Sequence, residues 1–157
     1  MKPQEMILAL SKGEFDAQLK AVYVTDSAVE LQRARYIDLV NEFVRVFDDE
    51  RDVIITSAPG RTEVCGNHTD HNNGKVLAAS INLDAIAVCA KNEDGIVRVK
   101  SKGHAMNVVD ICELLPSEKE FGRSTAMVRG VVAKIAEMGY KICLLYTSPS
   151  PRDVEES

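Results

Sequence analysis

Tryptophan is absent from this chain and aromatic residues make up only 5% of it. A stacking surface for single-stranded nucleic acid is therefore not expected. Positive charge is also short: 19 Lys and Arg stand against 24 Asp and Glu, a net charge of −5. That balance argues against broad binding to nucleic acid or to anionic membranes. The longest apolar runs fall well below the roughly 18 residues a membrane helix needs. The N-terminus has no basic start followed by a sustained apolar run and a small-residue cleavage site, so no secretory signal is read there. Cys65, Cys89, Cys112 and Cys143 form no C-x-x-C pair. This argues against a structural zinc site or a disulfide framework, and a cytoplasmic location is the expectation. The cysteines read as small buried hydrophobes.

What is present suits one packed domain. The chain has 157 residues, 45% hydrophobic and 27% charged, enough for a core and too apolar for wholesale disorder. Gln4–Leu10 reads as a short helix closed by Gly13. A stronger helix is predicted from Ser27 to about Phe47. Ser27 and Glu30 have capping-box spacing, and Tyr36, Val40, Phe43 and Phe47 fall on one helical face. The pattern then turns to strands. Val53–Thr56 is β-branched, Ala58-Pro59-Gly60 breaks it, and Thr62–Cys65 resumes. Lys75–Ile81 is apolar. Ala85–Ala90 and Ile96–Lys100 flank a turn and read as a hairpin, and Asn107–Cys112 reads as a further strand. A last helix is predicted over about Ser124–Met138, with Gly139 as its stop.

The fold class predicted is α+β: N-terminal helices, then a mixed or antiparallel sheet packed with a helix. The divisions are a helical segment over 1–52, a sheet-containing part over 53–142, and a tail over 143–157. Ser and Pro disfavour regular structure in that tail. Its run CLLYTSPSPRD also resembles a translated sequencing-library adapter, so the tail is read as non-native or disordered.

Polar chemistry concentrates in Ala58–Gly74, APGRTEVCGNHTDHNNG, which holds two of the three histidines. Pro59 and Gly60 fix and then free the backbone, so Arg61 can be aimed from a strand end. Gly66 admits a tight bend. Asn67, His68, Thr69 and Asp70 supply donors and acceptors within one loop, as a polyhydroxylated ligand requires. The same segment allows a metal reading. His68, Asp70 and His71 match the end of an H-x-H-x-D-H signature, but Gly66 stands where that signature needs its first His. No metal site is expected. A polar loop with no ligand is the plainest alternative.

The segment resembles the first signature of galactokinases, in the GHMP small-molecule kinase family, whose pattern is approximately APGRVNLIGEHTDYNGG. The likeness lies at Ala58–Arg61, Gly66, His68–Asp70, Asn72 and Gly74. It continues more weakly through Lys75–Lys100 and at Arg129-Gly130, covering roughly residues 20 to 142. The resemblance implies that 53–142 is part of a GHMP-kinase N-terminal domain. It also implies transfer of the γ-phosphate of ATP, with Mg²⁺, to the anomeric hydroxyl of a galactose-like sugar. Arg61 would be the catalytic residue, stabilising charge on the phosphoryl group and depressing the pKa of a neighbouring base. Asn67, His68, Thr69 and Asp70 would bind the sugar.

Asn67 stands where the pattern has Glu, His71 where it has Tyr, and Glu63 where it has Asn. The family's phosphate loop, P-x-G-x-G-L-S-S-S-A, and its Asp base are missing from the chain. The expectation is therefore an N-terminal fragment, inactive as a kinase alone. A non-catalytic galactose-sensing module would carry the same loop.

Overall fold

The computed structural model describes residues 1–48, 50–67, 69 and 71–140, and the backbone alone of 70 and 144–150. Three helices open the chain: α1 (Pro3–Ser11), α2 (Asp16–Tyr23) and α3 (Asp26–Val46). Pro3 is at the first position of α1, where its missing N–H costs nothing. The start of α3 differs from the Ser27–Glu30 box. Thr25 is the cap, its hydroxyl accepting the Ala28 amide at 3.3 Å, because the chain is still extended at Thr25 and already helical at Asp26. The predicted apolar face of α3 is the buried one: Tyr36, Val40 and Phe43 are all core residues. Helix α2 was not foreseen. It is only 8 residues long and has no side-chain cap.

Five strands form one mixed sheet in the order β1-β2-β5-β3-β4. They are β1 (Val53–Cys65), β2 (Leu77–Asn92), β3 (Ile96–Val99), β4 (Asn107–Asp110) and β5 (Leu144–Ser150). β1, β2 and β5 pair antiparallel, as do β3 and β4, and β3 runs parallel to β5. Two expectations are corrected here. The chain turns after Asn92 as predicted, but β2 and β3 do not pair, because β5 lies between them. Residues 144–150 are regular strand rather than irregular tail. Leu144–Thr147 suits an extended chain, and the open edge of β2 offers it unpaired backbone groups. Beyond Thr147, β5 has β2 alone as neighbour, so Pro149 need not donate on both sides.

Helix α4 (Ser124–Glu137) packs on the β3–β4 side. Gly139, at φ +83°, stops it as expected. The Gly139 amide donates to the Ala136 carbonyl and the Tyr140 amide to Ile135, the paired bonds of a Schellman ending. Arg129 and Gly130 lie inside α4. Two apolar clusters result among the described residues. The larger joins the helices to Val53, Ile86, Val88 and Ala90; the smaller gathers Val97, Val109 and Val132. Of the cysteines described, Cys89 alone is buried; Cys65 and Cys112 are exposed, because Cys65 ends the exposed outer half of β1 and Cys112 follows β4 in a bend.

Candidate functional site

The site grows out of the long antiparallel ribbon of β1 and β2. Its inner half runs in simple register from Val53 opposite Ala90 to Pro59 opposite Asp84. The register then jumps. Arg61 pairs with Ser80, so Ile81–Leu83 bulge out of β2 opposite Gly60. Gly60 permits this crossing: a Cβ there would lie 3.1 Å from the Leu83 carbonyl oxygen. The Ala58-Pro59-Gly60 break predicted from sequence is thus a bend within one strand of 13 residues. Beyond it, Arg61–Cys65 and Leu77–Ser80 are exposed along their whole length.

The loop that joins these outer halves is shaped by backbone bonds. Gly66 sits at φ +124°, and a Cβ on it would lie 2.7 Å from the Val76 Cα. Asn67 follows at φ +54° and Asn73 at +61°, the left-handed region that Asn tolerates better than most residues. Thr69 is the centre of the loop. Its hydroxyl donates to the Gly66 carbonyl at 2.8 Å. Its own carbonyl accepts the amides of Asn72 and Gly74, at 3.0 and 2.9 Å. A side chain at Gly74 would overlap Thr69. A single helical turn over Asp70–Asn72 completes the loop, and Asn72 Nδ2 lies 3.1 Å from His71 Nε2.

Among the predicted site residues, Arg61 lies exposed on the outer half of β1. Asn67 is exposed at the tip of the bend, and Thr69 is half-buried with its proton committed inside the loop. Its oxygen can still accept from a ligand hydroxyl. His68 and the side chain of Asp70 lie outside the described residues. Among those described, no group of three or more His, Cys, Asp or Glu could hold a metal ion.

Sequence reading missed the polar cluster at the base of the ribbon. Asp84 is buried, and its Oδ2 accepts from the Tyr23 hydroxyl at 2.6 Å and the Ser57 hydroxyl at 2.5 Å. Its Oδ1 accepts from Arg35 at 2.6 Å, and Arg35 also donates to the Asp84 carbonyl at 2.8 Å. Gln32 and Tyr36 extend the network. Burial alone would raise the Asp84 pKa, but the bonds from Ser57, Tyr23 and Arg35 outweigh it and hold the carboxyl below its ordinary value. The Tyr23 hydroxyl is pushed well above its ordinary range, by burial first and then by its bond to Asp84. A lone Asp inside the otherwise apolar run Leu83–Ala90 was the available signal, since a buried carboxylate needs partners. A surface cavity of about 460 Å³ opens above this cluster, lined in part by Tyr23, Ser57, Pro59, Ser80, Asn82 and Asp84.

A mixed sheet backed by helices thus carries, at the end of its longest ribbon, an exposed loop rich in hydrogen-bonding groups. Comparison with known proteins makes it specific. Residues 41–91 match the family model of the galactokinase galactose-binding signature. The fold matches the crystal structure of Lactococcus lactis galactokinase complexed with galactose, at a TM-score of 0.66 and 25% identity. That match covers 78% of this chain and 32% of the Lactococcus chain. The chain therefore carries the galactose-binding signature of galactokinases on the N-terminal part of the galactokinase fold. Among the described residues no helix is long and apolar enough to cross a membrane.

Proposed function

We propose that this chain is the sugar-binding part of a cytoplasmic galactokinase-like sugar kinase, and that galactose or a close analogue is its ligand. The observation that carries this reading is the galactose-binding signature over residues 41–91, whose β1–β2 connection is the loop closed on Thr69. Asn67 and Thr69 oxygens and the Asn67 amide match the mixed donor and acceptor character of sugar hydroxyls. His68 and Asp70 join them in this reading, and Arg61 is the residue assigned to the reacting hydroxyl. In the whole kinase, ATP with Mg²⁺ would supply the phosphoryl group. The residues of this chain do not fit those groups. Its sequence has no glycine-rich phosphate loop, and no metal-holding cluster exists among the described residues. No transfer step is therefore derived, and the chain alone is expected to bind without turning over.

The test is calorimetric titration of the full chain with galactose, with glucose as the comparison sugar. Saturable heat with galactose and a weaker response to glucose is the expected result. No response to either sugar would overturn the reading. Incubation with ATP and galactose is expected to yield no sugar phosphate.

A further inference from the structure

We propose that Asp84 is a positioning residue, which sets the direction in which Arg61 and the sugar loop leave the sheet. The proposal rests on the functional reading above for what the loop binds, but its geometry stands apart from it. Asp84 faces Pro59 in register, at the last simple pair before the bulge. Its side chain, 4% exposed, is held from α2 by Tyr23, from α3 by Arg35 and from β1 by Ser57. Ser57 and Pro59 line the same surface cavity as Asp84, and Arg61 follows two residues beyond Pro59 on β1. One carboxylate thus ties both strands and two helices together two residues before Arg61.

Among the described residues nothing apolar does this work further out. Residues 61–65 and 71–80 are all exposed, so no described core lies beneath the outer ribbon to fix its angle. Bulges re-aim strands, and the bend at Gly60 needs a fixed base if the loop is to keep one orientation. The turn that delivers Tyr23 supports a dedicated role. Val24, at φ +71° and ψ −47°, is in a tight γ-turn closed by the Thr25 amide on the Tyr23 carbonyl at 2.8 Å. That conformation is costly for a β-branched residue and persists only where surrounding contacts demand it.

The experiment measures the angle directly. In the full chain, spin labels are placed on Cys65, at the outer end of β1, and on an Ala34→Cys variant of α3. Cys112→Ser and Cys143→Ser remove the competing thiols, and Cys89 is buried. One narrow distance distribution is expected with Asp84 intact. In Asp84→Asn it widens or shifts, and galactose binding weakens by roughly 2- to 30-fold. A folded Asp84→Asn protein with an unchanged distribution would overturn the proposal, whatever its stability. If that variant fails to fold, Tyr23→Phe and Ser57→Ala each remove one donor. A widened distribution in either upholds the proposal, and unchanged distributions in both overturn it. Failure of the unsubstituted chain to bind galactose would refute the functional reading and leave the distance result to judge Asp84.

Discussion

The two halves of the β1–β2 ribbon share one hydrogen-bonded ladder and almost nothing else. The inner half carries Val53, Ile86, Val88 and Ala90, buried beneath α1–α3 around Val40 and Phe43. The outer half, from Arg61 to Cys65 and Leu77 to Ser80, is exposed throughout and carries the loop closed on Thr69. The inner half takes its order from apolar burial. The outer half takes its shape from the bulge at Gly60, the left-handed residues Gly66, Asn67 and Asn73, and the bonds around Thr69. Binding elements are commonly drawn from the less stable end of a fold, and here the transition falls within two continuous strands.

The largest test of this contrast is Phe43→Ala, at a fully buried position in the inner core. It should cost about 3–5 kcal/mol in urea unfolding. A loss near zero would mean that the helices do not anchor the ribbon. Arg35→Ala comes next, at about 3 kcal/mol or more, because it leaves the Asp84 carboxylate buried without its cation.

The same residue predicts a pH signature. A carboxyl held below its ordinary value adds stability that is present above the unfolded value of about 3.9 and lost as pH falls through the native value. Acid unfolding should therefore set in below about pH 4, and Arg35→Ala should move it to higher pH. Tyr23 acts at the opposite limit. Its raised native pKa adds stability that is present below about pH 10 and lost as pH rises further. Tyr23→Phe should abolish that alkaline branch, as read by melting temperature against pH.

Gly66→Ala should be milder and local, about 1–3 kcal/mol, because Ala is strained at φ +124° and its Cβ meets Val76. Hydrogen exchange should then quicken in residues 66–76 while the amides of 85–90 stay protected. Equal quickening in both would erase the distinction between the halves. Val64→Thr should be smallest, within about 0.5 kcal/mol, since Val64 is 60% exposed.

Legibility from sequence follows the same division. The loop carrying the galactokinase signature was readable because its glycines, asparagines and polar cluster lie within 17 consecutive residues, Ala58–Gly74, and loop chemistry is local. Helix α3 was readable because its buried face repeats at helical spacing. Helix α2 escaped because it is short, uncapped and weakly patterned. The continuity of β1 escaped because Pro59 and Gly60 signal a break wherever they occur, and only the facing bulge in β2 turns that break into a bend.

Residue type and short spacing were enough to determine the helix-then-strand order, and the motif Ala58–Gly74 carried the resemblance to galactokinases. The matching galactose-binding signature and the fold match bear that resemblance out. Tertiary structure alone decided that β5 enters between β2 and β3, and that Asp84 meets Tyr23 across 61 positions and Arg35 across 49. The physical reason is the separation along the chain. Turn chemistry and helical periodicity are paid out among neighbours and leave a pattern in sequence. A buried carboxylate finds its partners only once helices and strands have packed, and no local preference of Asp, Tyr or Arg says which of them will meet.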